Sequence, residues 1–233
     1  MELNEIQKIK MALLVMNHAD VENAQKAYDF VMADSKEPAN HEEATQSEMA
    51  DGIYLVHADG KATLFELEYT KDDNMDSEVV AIGLKMGGFG IKIALHDEAN
   101  GNCITLTTAY QDYYIDNYDD AVADMDGARN TNHLRNILNP KIKLADEWYI
   151  PSLGELYRIF INKKAINAAL EFANGERLQY RWYWTSTGYS AATAWGLNLC
   201  SGYMNGDTKA TGAGHVRPVS AFICKVVSSV KRK

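Results

Sequence analysis

The chain has 233 residues, of which 46% are hydrophobic and 24% charged, a balance typical of one main globular domain with a small accessory unit. This composition excludes a disordered or fibrous chain. The formal net charge of −9 is divided unevenly, because residues 1–126 carry 26 carboxylates against 8 basic side chains, whereas residues 127–233 carry 6 against 15. Such asymmetry can steer partners, but the basic residues are too scattered for the stripe expected of a nucleic-acid-binding protein.

Neither a membrane segment nor an export signal is predicted. No apolar run approaches the roughly 20 residues that a membrane helix needs. At the start of the chain, Glu2 and Glu5 precede a very short apolar patch, which is a poor match to a signal peptide. Cys103, Cys200 and Cys224 show no C-x-x-C spacing, so we predict free thiols rather than a disulfide framework or a zinc site.

Residues 1–50 are predicted to form a helical hairpin followed by an acidic linker. Apolar residues recur at spacings of three and four over 3–16 and again over 21–33, where Asp20 is a suitable N-cap. The segment 34–48 is acidic and lacks large apolar side chains, as linkers do. The apolar stripe of the hairpin must pack against the main domain or against other copies in a homo-oligomer.

The main domain is predicted over residues 51–233, and its first part consists of hairpins. Asp59-Gly60 lies between two apolar-rich runs, and this pair favours the positive φ of a tight hairpin turn. A second pair of strand-like runs flanks Gly87, Gly88 and Gly90. These glycines match neither the dinucleotide-binding pattern nor the phosphate-loop pattern, so a turn is favoured over a nucleotide site.

Helices are predicted in the middle of the domain and short strands after them. Residues 119–138 have a helical pattern that Gly127 interrupts, and Ser152 with Glu155 forms a capping-box pattern that begins a helix of about three turns. Strand-like pieces follow over 180–187, 193–199 and 215–227. Helices surrounded by irregular strands indicate an α+β fold rather than an alternating parallel sheet.

No catalytic residue, metal site or cofactor is predicted. The six histidines lack metal-site spacing, and the "DDNMD" of residues 72–76 lacks the glycine and the distant glutamate of a calcium loop. No nucleophile motif accompanies Ser186. The aromatic run near the C-terminus is more informative: alternation along a strand places Trp182 and Trp184 on one face and Tyr183 on the other, with the tryptophans as core anchors.

The motifs "WYIPSLGELY", "YWTST", "AWGLN" and "VRPV" resemble the C-terminal C-type-lectin-fold domain of bacterial and phage proteins, including the variable proteins of diversity-generating retroelements. The resemblance covers residues 120–224 well and 51–119 loosely. It implies a C-type lectin-like α+β domain with irregular antiparallel strands and two or more helices, whose last strands and loops display a binding surface. In the variable proteins, mutagenic reverse transcription changes adenines, mainly in asparagine codons, and cannot yield Trp, Met, Lys, Glu or Gln.

The resemblance implies a candidate variable region over residues 182–219. Trp184, Ser186, Trp195 and the Val216–Val219 segment match the frame, and Lys209 is a fixed point within the changeable part. Display at the surface is expected for the remaining positions, which are the candidate ligand-binding residues: Tyr189, Ala191, Thr193, Gly196, Cys200, Tyr203, Gly206, Asp207, Thr208, Ala210, Thr211, Gly212, Ala213 and His215.

The leading hypothesis is therefore a non-enzymatic receptor-recognition protein that binds a protein or glycan on a cell surface. Calcium-dependent sugar binding is disfavoured, because Gly196, Leu197 and Asn198 follow Trp195 where a Trp-Asn-Asp strand would be needed. Two alternatives stay open: a structural phage or cell-surface assembly protein with an invariant domain, and an oxidase or hydrolase using Cys200 and Cys224. The resemblance favours a virion or a cell surface as the location, without excluding the cytoplasm.

Overall fold

A computed structural model describes residues 49–66 and 78–222. All of them belong to the second of two compact units, Ser47–Lys233. The predicted N-terminal hairpin and linker, the segment 72–76 and Cys224 lie outside the described residues, so the statements about them stay predictions.

The described residues form eight strands and four helices, together with a 3-10 segment at Glu98–Gly101. In chain order these are β1 (Gly52–His57), β2 (Ala62–Leu64), β3 (Val79–Met86), β4 (Phe89–Ala94), α1 (Tyr118–Ala123), α2 (Gly127–Leu134), α3 (Leu153–Ile161), α4 (Lys163–Phe172), β5 (Trp182–Gly188), β6 (Thr193–Asn198), β7 (Met204–Thr208) and β8 (Val219–Ala221). The strands make two antiparallel sheets, one of five strands in the order β2-β1-β3-β4-β8 and one of three in the order β5-β6-β7. The predicted α+β class is confirmed.

Both predicted hairpins are present in the five-stranded sheet. β1 and β2 pair across a turn in which Gly60 has φ 82°, and β3 and β4 pair across a turn in which Gly87 has φ 54°. Positive φ is accessible to glycine at little steric cost, which explains these residues at these turns. The glycines at 87–90 thus belong to a hairpin, as the sequence predicted.

The capping box at the start of α3 is also confirmed. Ser152 Oγ accepts a hydrogen bond from the Glu155 amide at 3.3 Å, and Glu155 Oε2 accepts one from the Ser152 amide at 2.8 Å. Gly127 begins α2 against this cap, and a Cβ at this position would collide with the Glu155 carboxylate and the Ser152 amide. The predicted helix over 119–138 is accordingly two helices, because Asp126 caps a new one at Gly127.

Two groups of buried side chains hold the three-stranded sheet in place. The larger core joins the five-stranded sheet to α3 and α4 and includes Tyr183, Trp195 and Leu197 from β5 and β6. The smaller core contains Trp184 and Ala194 from the same two strands, packed with Leu106 and Val216. The three-stranded sheet therefore carries apolar contacts on both faces, as a strand pair between two packed layers does.

Candidate functional site

The candidate site is the face of the three-stranded sheet that carries Trp182 and Trp184. Residues directly opposite each other in an antiparallel pair share a face. Trp184 pairs with Gly196, which pairs with Asn205, and Ala194 pairs with Asp207. These residues stand on one face, whereas Tyr183 stands on the other with Leu197 and Met204. The prediction that Trp182 and Trp184 share one face of the strand and that Tyr183 stands on the other is confirmed.

A depression of about 280 Å³ opens on this face. Its lining combines aromatic side chains, a carboxylate, an amide and bare backbone, contributed by Trp182, Tyr183, Trp184, Gly196, Asn205, Gly206, Asp207, Ala213 and Gly214. Asn205 and Asp207 are exposed to a ligand, and Asp207 Oδ1 also accepts a hydrogen bond from the Thr208 amide at 2.7 Å. Two glycines leave room in the depression that a side chain would fill. A Cβ on Gly196 would lie 3.4 Å from the Trp182 ring, and one on Gly214 would lie 3.1 Å from the Trp184 ring.

At the β5–β6 end of the sheet, on the face opposite the depression, Tyr189 packs edge-on against the buried ring of Trp195, with 4.7 Å between ring centroids. The same ring covers Gly206, where a Cβ would lie 2.5 Å from Tyr189 Cδ1. Ser190 Oγ and Thr193 Oγ1 are 2.6 Å apart and close the turn between β5 and β6. Tyr189 is thus an exposed ring with a set position rather than a loose side chain.

At the other end, Tyr203 is 61% exposed and meets Trp182 edge-on at 6.0 Å. Gly202, just before it, has φ 76° and lies against the Phe160 ring, which positions the turn between β6 and β7. The thiol of Cys200 is free and exposed in this turn. Because the six residues of β6 are separated by five steps of about 3.3 Å, roughly 16 Å separates the two ends of this strand.

The structure brings four of the fourteen predicted residues into the depression, and these are Gly196, Gly206, Asp207 and Ala213. Eight of the others are exposed or half-buried along the sheet and its turns: Tyr189, Ala191, Thr193, Cys200, Tyr203, Thr208, Ala210 and Thr211. Gly212 is half-buried beside Asp207, where a Cβ would lie 2.5 Å from Asp207 Oδ2. The predicted set therefore forms a strip along the sheet rather than a single pocket.

Two of the predicted positions are wrong as surface residues. Gly196 is buried beneath Trp182 in the middle strand of the sheet. His215 is only 4% exposed, because its ring stacks on Tyr183 at 5.1 Å and faces the buried carboxylate of Asp97. His215 therefore cannot offer the side-chain contact expected of it, whereas Gly196 lines the depression through its backbone.

His215 belongs instead to a buried polar cluster with Asp97, Tyr183 and Arg217. Its Nδ1 lies 3.3 Å from Asp97 Oδ2, to which the Tyr183 hydroxyl also donates at 2.9 Å. The Arg217 guanidinium pairs with Asp97 and donates to the carbonyl oxygens of Ala94 and Glu176. Burial alone would raise the pKa of Asp97, but His215 and the Arg217 charge hold it below its usual value. The cluster ties the "VRP" motif to the frame.

Lys209 anchors the far side of the strip. Its side chain is 1% exposed, and its ammonium donates to Gln111 Oε1 at 3.2 Å. Its backbone carbonyl accepts from the amides of Leu106 and Thr107, and its own amide donates to Ala192. Burial lowers the pKa of Lys209 to about 8. The structure thus buries this residue among exposed neighbours.

Sequence reasoning missed β7 and the segment before α1. Residues 204–208 read as a loop because the run "MNGDT" has neither apolar alternation nor β-branched residues before Thr208, yet they pair with β6 over five residues. The segment 110–118, which contains four tyrosines, runs beside the β5–β6 turn: the Ile115 amide donates to the Gly188 carbonyl at 2.9 Å, and the Gln111 amide donates to the Ala191 carbonyl. Its density of tyrosine and aspartate was the available signal.

Within the described ranges, no group of three or more histidine, cysteine or acidic side chains could hold a metal ion. The helices of that same part of the chain are all too short or too polar to cross a membrane. The side chains gathered at the depression can form hydrogen bonds, stack rings and offer a negative charge, which is chemistry suited to binding.

No protein-family model matches the chain, and no curated protein matches it significantly. Among solved structures, the chain is similar to a fimbrial protein from Bacteroides ovatus ATCC 8483, with a TM-score of 0.53 and 15% sequence identity. The similarity covers 75% of this chain and 49% of that protein, so the chain spans about half the length of its structural neighbour. At this identity the likeness concerns the fold alone.

Proposed function

We propose that the chain is a non-enzymatic binding protein in which a C-type lectin-like frame presents the outer face of β5–β7 to a protein or glycan ligand on a cell surface. The depression carries this proposal: Asp207 and Asn205 offer exposed polar groups beside the half-buried ring of Trp182. Ligand sites commonly combine a concave, partly aromatic surface with a few convergent polar groups.

The division between frame and display supports the same proposal. Trp184, Trp195, Lys209 and Arg217 are all buried and hydrogen-bonded. The exposed positions of the strip between them are Tyr189, Ala191, Cys200, Tyr203, Asp207, Thr208, Ala210, Thr211 and Ala213. A rigid frame tolerates substitution at exposed turn positions at little cost in stability. We further propose that these exposed positions are the ones diversified by a retroelement, with Gly196 and His215 excluded because their side-chain positions are buried.

Binding is tested with Asp207→Asn and Tyr203→Ala, two changes at exposed positions, in the full chain. Wild-type protein is applied to an array of bacterial surface glycans and to intact bacterial cells, with binding measured by fluorescence. We expect both variants to lose about tenfold in affinity for whatever the wild type binds, while Glu78→Gln, an exposed acidic residue outside the strip, binds as the wild type does. Equal binding by all four proteins would contradict the proposed site.

The diversification is tested in the DNA that flanks the gene. We expect a reverse-transcriptase gene and a near-identical repeat of the region encoding residues 182–219, differing mainly at adenines. A complete locus without either would refute the retroelement origin but leave the binding test unaffected.

The second candidate is a structural component of a surface assembly, which the fold-level likeness to a protein titled as fimbrial favours. The two functions differ in the effect of exchanging the exposed residues of 188–213 for those of another sequence. Ligand display predicts altered binding with an unchanged oligomeric state, measured by light scattering. An assembly role predicts altered oligomerisation instead.

A further inference from the structure

A second exposed surface lies beside the depression, in the segment that precedes and begins α1. Four tyrosines of this segment are prominent: Tyr110 is 77% exposed, Tyr114 is 48% exposed, and Tyr113 and Tyr118 are each 40% exposed. A tyrosine offers a large apolar ring and a hydroxyl at low conformational cost, which is why tyrosine is enriched at interfaces. Several exposed rings within nine residues therefore mark a candidate interaction surface.

This segment is held in place by the turn between β5 and β6. Besides the two backbone hydrogen bonds to Gly188 and Ala191, a Cβ on Gly188 would lie 2.9 Å from the Tyr113 carbonyl oxygen and 3.0 Å from Tyr114 Cβ, so the segment passes directly over this glycine. The rings of Tyr118 and Tyr189 both meet Trp195 edge-on. The surface is thus preorganised, which reduces the ordering cost of binding.

The segment that forms this surface is negatively charged. Residues 108–126 contain six aspartates and no lysine or arginine. Asp120 accepts from Asn117 Nδ2, Asp124 from Thr187 Oγ1, and Asp126 caps α2. The other three are exposed and make no ion pair with any described residue, and these are Asp112, Asp116 and Asp119. We call the surface formed by the tyrosines 110, 113, 114, 118 and 189 with these three aspartates the acidic tyrosine platform.

The chain itself shows which chemistry suits this platform. The guanidinium of Arg129 lies over the ring of Tyr113, 5.6 Å from its centroid. Arginine and lysine are attracted to the faces of aromatic rings, and guanidinium groups also pair with carboxylates in two-pronged hydrogen bonds. One ring of the platform is therefore already occupied by a cation, whereas Tyr110 and Tyr114 contact no cation among the described residues.

We propose that the acidic tyrosine platform binds an arginine- or lysine-rich segment of a partner protein. Exposed rings supply the contact area, and the three aspartates that make no ion pair with a described residue supply the charge complementary to a basic partner. The surface is distinct from the depression on β5–β7, because Tyr189 packs on Trp195 and over Gly206 on the opposite face of the sheet. The proposal does not depend on the function proposed for that depression.

The test is fluorescence anisotropy of the full chain with a labelled peptide of alternating glycine and arginine, at 20 mM and 300 mM salt. The matched peptide carries citrulline in place of arginine, which keeps the shape of the side chain but removes its charge. The variants are Tyr114→Leu, which keeps an apolar side chain without a π face, and the pair Asp116→Asn with Asp119→Asn. The charge control is the pair Glu78→Gln with Asp146→Asn, two exposed acidic residues elsewhere in the domain.

We expect the arginine peptide to bind at low salt, to weaken at high salt, and to bind about fivefold more weakly to Tyr114→Leu and to the platform aspartate pair. The citrulline peptide should not bind, and the control pair should bind as the wild type does. An equal loss in the control pair would show attraction by net charge alone and would overturn the proposal. Absence of arginine-peptide binding would also overturn the proposal. So would the finding that dextran, a neutral polysaccharide, binds instead of the peptide and that its binding changes in Tyr114→Leu.

Discussion

The burial of Lys209 can be tested through its effect on stability, because folding buries this lysine without a carboxylate partner among the described residues. Its ammonium meets only the side-chain oxygen of Gln111, and burial lowers its pKa from 10.5 to about 8. A shift of about 2.5 pKa units corresponds to roughly 3 kcal/mol of differential stabilisation at about 1.4 kcal/mol per unit. Below pH 8, the charged ammonium therefore costs the folded state about this amount.

The sign of the pH dependence follows from proton linkage. Between pH 8 and 10.5, the unfolded chain keeps a proton on Lys209 that the folded chain has lost, so the free energy of unfolding rises with pH in this window. Lys209→Met fills a similar volume without a titratable group and removes this rise. It also leaves Gln111 Oε1 unpaired and buried, a cost of about 1–3 kcal/mol that does not depend on pH.

The measurement is urea unfolding of wild type and Lys209→Met at pH 7, 8, 9 and 10, followed by tryptophan fluorescence. We expect the free energy of unfolding of the variant, relative to wild type, to fall by about 2–3 kcal/mol from pH 7 to pH 10. Lys164→Met, at an exposed helix position, serves as control and should track the wild type. If the difference in free energy of unfolding between wild type and Lys209→Met stays constant from pH 7 to pH 10, the reasoning is refuted, because a buried charged Lys209 would then not destabilise the folded state.

Three further predictions concern the frame and the strip. Glu155 is buried, and burial raises its pKa to about 7. The free energy of unfolding of the wild type should therefore fall by up to about 3 kcal/mol between pH 4.5 and 7. Urea titrations at each pH should show that Glu155→Gln abolishes this loss. Arg217→Met leaves Asp97 charged and buried, and should lower the unfolding free energy by about 3–5 kcal/mol, with partial recovery when Asp97→Asn is added. Gly212→Val should cost about 1–3 kcal/mol in thermal unfolding, because its Cβ would lie 2.8 Å from the Thr208 carbonyl oxygen, whereas exposed Ala213→Val should change little.

Local signals in the sequence were sufficient for the elements whose geometry depends on near neighbours. Asp59-Gly60 marks a hairpin because the turn needs a positive φ, and Ser152 with Glu155 marks a helix start because their side chains bond amides three residues away. The alternation of Trp182, Tyr183 and Trp184 likewise divides them between two faces. These interactions close within a few residues, so the chain order alone contains them.

Contacts between distant segments decided the rest. β7 forms because Met204–Thr208 finds a partner in β6, and its residues show little preference for a strand on their own. His215 looks like an exposed loop residue in the sequence, but Asp97, 118 positions earlier, and Tyr183 draw it into a buried cluster. The platform likewise arises where the segment 110–118 crosses Gly188 and the Trp195 ring.

The sequence by itself thus determined the α+β class, the hairpins, the capped helix and the burial of Trp184 and Trp195, but not the half-buried position of Trp182 at the depression. The tertiary structure alone decided which polar side chains reach the surface, since burial depends on what the rest of the chain places over each residue. Asp207 and His215 illustrate the difference: each directly follows a glycine, yet one lies open at the depression and the other is 4% exposed. Recognition chemistry depends on this exposure, which no local pattern encodes.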